Sequence, residues 1–212
     1  WEIRNFASTL EALNILQVTN RIPYPLNDGG NIATYNVTRF LHRLGHRVTL
    51  ASLNTRKHYQ DPSVLKDVKV VHAVEIDTSL TPFGLVKGLF SQQPYNVERF
   101  RSEKFAWVLS DILRKVKFDI VQLEGSYLSI YIDVIRANTK APILLRSHNV
   151  EHIIWGRLAA NTSNPLKRNY LNNLWKKIRK FELKWLNHYD GIIPIASQDE
   201  AFYKEAGYKG PI

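Results

Sequence analysis

Apolar residues in this chain fall into two regimes: short solid runs of strand length, and longer stretches with apolar positions three and four apart. Ile15–Val18 (ILQV), Arg47–Ser52 (RVTLAS), Val68–Val74 (VKVVHAV), Asp119–Leu123 (DIVQL), Pro142–Arg146 (PILLR) and Gly191–Ile195 (GIIPI) belong to the first regime. Helical spacing starts directly after Gly29-Gly30 and returns over Arg99–Lys117 through Phe100, Phe105, Val108, Leu109, Ile112 and Leu113. It follows Glu124-Gly125 through Tyr131, Val134 and Ile135, and one long helical region runs from Ser147-His148-Asn149 to about His188. Ser197, with Glu200 three residues on, predicts a capped last helix that stops at Gly207. Residues 75–95 are irregular, with Pro82, Gly84, Gly88 and Pro94 among short apolar patches. Solid apolar strands alternating with helices argue for a parallel sheet covered on both faces. The expected fold is α/β: a doubly wound parallel sheet of six to seven strands, order 3-2-1-4-5-6, with Gly210-Pro211-Ile212 reading as the start of the seventh. Residues 14–212 form one domain in this reading. Residues 1–13 add an N-terminal helix, with Ile3, Phe6, Leu10 and Leu13 at helical spacing.

Composition narrows this only slightly. The 212 residues are 44% hydrophobic, enough to bury the core of one sizeable domain. No apolar run reaches spanning length, and no basic stretch followed by an apolar one opens the chain as a secretory signal. Cysteine is absent, which excludes disulfides, thiolate metal sites and cysteine nucleophiles and agrees with a cytoplasmic setting. Methionine is absent even at position 1, so the chain reads as lacking its natural start. Lys and Arg number 29 against 19 Asp and Glu, a net charge of +10. That surplus favours nucleotide phosphates, nucleic acid or acidic lipid headgroups without choosing among them. The basic residues are not interleaved with a nucleic-acid motif, so no nucleic-acid partner is expected.

Residues suited to chemistry sit at the C-terminal ends of the predicted strands, where ligands gather in doubly wound folds. Gly29-Gly30 follow the first strand and its Pro-rich loop and open a helix, an arrangement that binds anions through free backbone N–H groups and the helix dipole. The plainer reading is that the pair ends a loop. No G-x-G-x-x-G is present, so this is not the dinucleotide fingerprint. Arg21, in the same loop, is placed to meet a phosphate. Glu124 follows strand 4 and either binds ligand hydroxyls or caps the next helix. His148 follows strand 5; it is a ligand group or a structural histidine bonded to a neighbouring loop. Asn149 and Glu151 suit the start of the next helix, with Asn149 also a candidate substrate contact. His148 and His152 are four apart, but the H-E-x-x-H order and a third ligand are missing, so no metal site is expected. Over residues 166–186, Leu171, Leu174, Trp175, Ile178, Phe181 and Trp185 make one stripe. Lys167, Arg168, Lys176, Lys177, Arg179, Lys180 and Lys184 supply seven positive charges largely away from that stripe, a basic face either plainly solvated or, chiefly through the last five, meeting anionic lipid. Phe83, Leu85, Leu89 and Phe90 of the irregular segment are a further candidate contact with a bilayer or a ligand.

The segments TNRIPYPLNDGGNIATYNVTRFLHRLGHRVTL, FDIVQLEGSYLSIYI and LLRSHNVEHIIWGRLA resemble the N-terminal domain of GT-B glycosyltransferases of the family-4-like group. The resemblance covers about Asn14 to Ile212. It implies a Rossmann-like half of a two-domain, anomeric-configuration-retaining enzyme. That half binds a glycan or lipid-linked acceptor, while the donor domain holds most of a nucleotide-diphosphate sugar. It further implies that Gly29 and Gly30 approach the donor diphosphate, that His148 reaches the donor sugar near the reacting carbon, and that no metal or other cofactor is needed. The family's pair of glutamates separated by seven residues is absent, so the donor domain is read as missing and this chain alone as inactive. The Trp-Glu opening resembles the last, crossing-back helix of such enzymes; a vector-derived or native extension is the alternative. A non-catalytic module that binds a phosphorylated ligand or a partner protein is the rival to the whole reading. The implied setting is the cytoplasm, with peripheral contact to the inner face of the membrane.

Overall fold

The computed structural model describes residues 11–81, 84, 88 and 90–212. Six strands, β1 (Asn14–Thr19), β2 (Arg47–Thr55), β3 (Val70–Ile76), β4 (Ile120–Glu124), β5 (Ile143–Ser147) and β6 (Gly191–Pro194), form one parallel sheet of order β3-β2-β1-β4-β5-β6. The helices are α1 (Gly29–Arg43), α2 (Tyr95–Glu98), α3 (Glu103–Lys115), α4 (Ile132–Asn138), α5 (Glu151–Ala160), α6 (Pro165–Trp185) and α7 (Ser197–Glu205), joined by short 3-10 turns. β1, β2 and β4 are buried nearly end to end, as the solid apolar runs require of strands covered on both faces. β3, at the edge, is buried only in part. Its hydrogen-bonded span begins at Val70, two residues later than the apolar run, where pairing with Thr49 of β2 starts. Leu16, Val18, Leu53, Val121, Leu123 and Ile143 line the larger core with Phe105, Leu109 and Ile135.

Several expectations need correction. The stretch from His148 to His188 is two helices, α5 and α6, broken at Asn161–Asn164. Asn164 caps α6 by accepting the Lys167 N–H at 3.0 Å, and Pro165 fits the first helical position. The run over Arg99–Lys117 is helical only from Glu103, because Ser102 takes the Phe105 N–H and starts α3 there. Ser197 is the first residue of α7 and not its cap, and no side chain caps that helix at Ala196. Asn149 does not cap α5, whose cap residue Val150 brings no side-chain acceptor. Residues 210–212 are not in a strand, and the Ile192 N–H of β6 donates to the Pro211 carbonyl at 3.0 Å, where a seventh strand would begin to pair. Of the expected helix over 1–13, Ile3, Phe6 and Leu10 lie outside the described residues. Glu11–Leu13 are not helical; the Leu13 N–H donates to His46 Nδ1 at 3.2 Å as β1 begins.

The order of strands places the reversal of winding between β1 and β4. The chain leaves β1 toward β2 and β3, and leaves β4 toward β5 and β6. Loops after these two central strands diverge to opposite sides, and a crevice opens at their C-terminal ends.

Candidate functional site

One face of the central strands is polar under α1. Register pairs Gln17 with Gln122, Thr19 with Glu124, and Glu124 with Arg146, so these side chains form a row across β1, β4 and β5. α1 meets that row with Asn31, Thr34 and Thr38, its buried residues. Buried polar groups require partners, and here they find one another around a single carboxylate. Glu124 is 5% exposed. Its Oε1 accepts from Gln17 Nε2 at 2.7 Å and Gln122 Nε2 at 2.5 Å. Its Oε2 accepts from Arg146 Nη1 at 2.9 Å, Thr34 Oγ1 at 3.2 Å and His148 Nε2 at 2.7 Å. Thr38 Oγ1 lies 2.5 Å from Gln17 Oε1, holding that amide in turn. Burial pushes the Glu124 carboxyl up, but the His148 hydrogen bond, the Arg146 charge and the Gln17 amide outweigh it and hold the group at about 2. Glu124 is therefore a carboxylate throughout the neutral range and does not cap the helix that follows.

An ionised carboxylate only accepts, so the bond to Glu124 puts a proton on His148 Nε2 and leaves Nδ1 without a hydrogen-bond partner among the described residues. The turn that carries His148 is fixed by Ser147 Oγ, which donates to the Asn149 carbonyl at 3.1 Å and lies 2.7 Å from the Tyr203 hydroxyl. At the end of β4, Gly125 adopts φ +103°, which a side chain would strain, and swings the chain off the sheet.

A crevice of about 330 Å³ brings together Thr19, Arg21, Gly30, Glu124, His148 and Asn149, with Glu151 at its edge. Asp28 caps α1 by accepting the Asn31 N–H at 3.0 Å, while the same oxygen accepts from Arg21 Nη2 at 2.8 Å. Arg21 is thus already paired, though it still lines the crevice. The first-turn amides of Gly29 and Gly30 have no helical acceptor. Neither glycine has a positive φ. A Cβ on Gly29 would meet nothing within 4 Å; one on Gly30 would come to 3.3 Å from Asp28 Oδ1. The backbone does not demand glycine here, so the plain loop-ending reading loses its support at Gly29. Gly29 itself adjoins the crevice and does not line it.

The N-terminus of α5 is closed by a residue from outside that helix. Glu182 of α6 accepts the Glu151 and His152 N–H groups at 2.9 and 3.1 Å, and also pairs with His152 Nδ1 at 2.6 Å. His148 and His152 therefore serve different carboxylates. Burial, helped by the nearby Glu182 charge, raises the Glu151 carboxyl above its ordinary value, with Tyr127 and His148 opposing. Among the described residues no group of three or more His, Asp or Glu is arranged to hold a metal ion, and no helix is long and apolar enough to cross a membrane. On α6, Lys176, Arg179, Lys180 and Lys184 are exposed, but Lys177 is not part of that face: it is half-buried and donates to the Gly88 carbonyl at 2.7 Å. Of the candidate contacts at Phe83, Leu85, Leu89 and Phe90, only Phe90 lies within the described residues, and it is exposed.

The row Gln17, Gln122, Arg146 with Thr34 and Thr38, and the cap Glu182, escaped the sequence reading. The signal was present: a Gln in the middle of ILQV and another in IVQL, each inside a strand with no solvent-facing side.

The sequence profile described as Glycosyltransferase Family 4 matches residues 27–212. No curated protein sequence matches the chain significantly. Among solved structures, a sucrose-phosphate synthase from Thermosynechococcus elongatus aligns with TM-score 0.57 at 14% identity over 94% of this chain and 46% of its own. Phytolacca americana UGT2, solved with UDP-2-fluoro-glucose and pterostilbene, gives 0.52 at 10% identity over 90% and 49%. Os79 from O. sativa, a single-residue variant in complex with UDP, gives 0.52 at 14% over 93% and 51%. These likenesses establish the fold, and the chain spans about half the length of each. Since the family profile runs through the glycine pair, Glu124 and His148 and on to the last residue, the chain belongs to Glycosyltransferase Family 4.

Proposed function

We propose that this chain is the acceptor-side half of a retaining glycosyltransferase that moves a hexose from a nucleotide-diphosphate sugar to a glycan or lipid-linked acceptor. The observation that carries the reading is the shared crevice: Gly30, in the first turn of α1, and His148, whose Nδ1 has no hydrogen-bond partner among the described residues, line one space. Glycosyl transfer separates a diphosphate leaving group from a sugar that gains positive charge. Amides at Gly29 and Gly30 suit the diphosphate, with the α1 dipole adding to them. His148, held by Glu124, presents Nδ1 as an acceptor for a sugar hydroxyl, and the Glu124 carboxylate behind it keeps the local charge suited to a developing cation. The donor-binding half of the reaction belongs to a second domain in this proposal, and no metal or cofactor is assigned a role. Exposed Lys176, Arg179, Lys180 and Lys184 of α6 support peripheral contact with anionic lipid at the inner face of the membrane, which suits a lipid-linked acceptor.

The test is His148→Ala in a protein that joins this chain to its donor-binding half. Transfer is expected to fall at least a hundredfold in kcat with the fold retained by circular dichroism, while the thermal unfolding midpoint drops moderately, because the ring is 18% exposed at the crevice wall and supplies one of the five donors to Glu124. Undiminished turnover in that variant removes the role assigned to His148. A binding module without catalysis predicts UDP affinity but no transfer or donor hydrolysis in the joined protein.

A further inference from the structure

A second crevice, of about 490 Å³, lies beyond the ends of β1 and β2 and adjoins the first across Asn20 and Arg21, which line both. Its walls carry Arg21, Lys57, His58 and Arg99 and no carboxylate. The acids nearby are already matched to other cations: Asp28 to Arg21, Asp77 to Arg56 at 3.2 Å, and Glu98 to Arg101 at 2.7 Å. Lys57, His58 and Arg99 are left without an acidic partner among the described residues. Arg99 donates from Nη1 to the Thr78 carbonyl at 3.1 Å, and its Nε is buried with no partner. Thr55, 3% exposed, sits in the same wall with its hydroxyl also unpartnered. Buried polar atoms left unmatched are rare and costly unless something else completes them. Partial burial and the charges of Arg21 and Lys57 depress the His58 ring below its ordinary value, with Asp28 opposing. The neighbouring crevice, which shares Ser79 and Arg99, contains Asp77 and Glu98, so the carboxylate-free wall is confined to the section next to the glycine and His148 site.

We propose that this section seats an oxyanion of the acceptor, a phosphate or carboxylate held among Lys57, His58 and Arg99, so that the hydroxyl to be glycosylated reaches the His148 crevice. The assignment rests on the glycosyl-transfer reading above, which placed the acceptor in this half without fixing its charge. The anion arrives on a soluble sugar or on a lipid headgroup; the chemistry of the wall is the same for both.

Amide chemical shifts of the chain, titrated with glucose 6-phosphate, with glucose, and with phosphatidylcholine vesicles with and without phosphatidic acid, test it. Glucose 6-phosphate is expected to perturb residues 55–58, 78–80 and 99, and glucose to leave them unmoved. The double substitution Lys57→Ala, His58→Ala removes two exposed side chains that bond nothing among the described residues, so the fold is not at stake; it should weaken the phosphate at least tenfold. Binding of phosphatidic acid vesicles weakened tenfold by the same substitutions, with no response to glucose 6-phosphate, assigns the anion to a lipid headgroup. Equal responses to glucose and its phosphate, shifts confined to α6, or an unchanged affinity in the double variant in both the sugar and vesicle arms overturns the proposal. A parallel titration with UDP, read at residues 28–31 and 148, reports on the transfer reading separately: response there without response at Lys57 rejects the oxyanion seat alone.

Discussion

Glu124 gathers five hydrogen-bond donors while almost removed from water, and its ionisation holds the site together. Its folded value of about 2 lies below the ordinary 4.5. A depressed carboxyl stabilises the fold above its unfolded value, and the stabilisation is lost as pH falls from about 4.5 toward 2. The difference corresponds to roughly 3 kcal/mol at neutral pH. Glu124→Gln removes that term and leaves the Arg146 charge buried without its counter-charge, at a cost of about 3–5 kcal/mol. Urea unfolding followed from pH 7 to pH 2 should therefore show a steep acid loss in the parent. The variant should be weaker at pH 7, with a shallower slope below pH 4.5. Asp61, Asp77 and Asp190 are also depressed by their donors and keep a residual slope in both proteins. Identical slopes would mean that Glu124 titrates as an ordinary carboxyl. The sequence singled out this residue as a strand-end acid but not as a hub, because its donors come from Gln17, Thr34, Gln122 and Arg146, which are close only once β1, β4, β5 and α1 are assembled.

Among the elements, strands were the most legible, because a sheet covered on both faces writes its burial as unbroken apolar runs. Helix ends were less so. Asn149 and Ser197 have the chemistry of caps, yet the α5 terminus is closed by Glu182 from thirty residues away, and a local pattern carries no trace of that contact. The start of α1 is the element where sequence and geometry converge. Asp28 occupies the cap and takes the third amide, leaving those of Gly29 and Gly30 unused by the helix. Alanine is favoured over glycine in a helix by up to about 1 kcal/mol, less in the first turn. With open space beside Gly29, Gly29→Ala should leave stability unchanged or raise it slightly. If the proposed diphosphate site lies at these amides, the same methyl group would crowd it, and UDP affinity should drop severalfold or more. Thermal unfolding and isothermal titration on the one variant separate the two effects. A stability loss above about 1 kcal/mol with UDP binding intact would return the glycine pair to the role of a loop end.

For the whole molecule, the basic residues behind a net charge of +10 include two groups in contrasting settings. The section between β1, β2 and Arg99 is concave and presents few cations at short range. The outer face of α6 presents Lys176, Lys180 and Lys184 four residues apart with Arg179 between them, one continuous convex row. A convex row suits an extended anionic plane and offers nothing that encloses a small ligand. Lys184 lies over the Trp185 ring at 4.8 Å, and Lys177 is turned inward to the Gly88 carbonyl, so the row consists of Lys176, Arg179, Lys180 and Lys184. Near a membrane rich in acidic lipid each is worth about 1 kcal/mol, or roughly a fivefold change in partitioning. Replacing all four by Gln should therefore lower binding to phosphatidylserine vesicles by two orders of magnitude or more and leave binding to neutral vesicles as it was. Raising ionic strength from 0.1 to 1 M should produce much of the same loss in the parent protein, since screening contracts from about 10 Å to 3 Å. The four replaced residues are exposed and only Lys184 contacts a buried one, the ring of Trp185, so the unfolding midpoint serves as an internal control for that contact. Vesicle binding indifferent to both lipid charge and salt would make the row a solvated helix face.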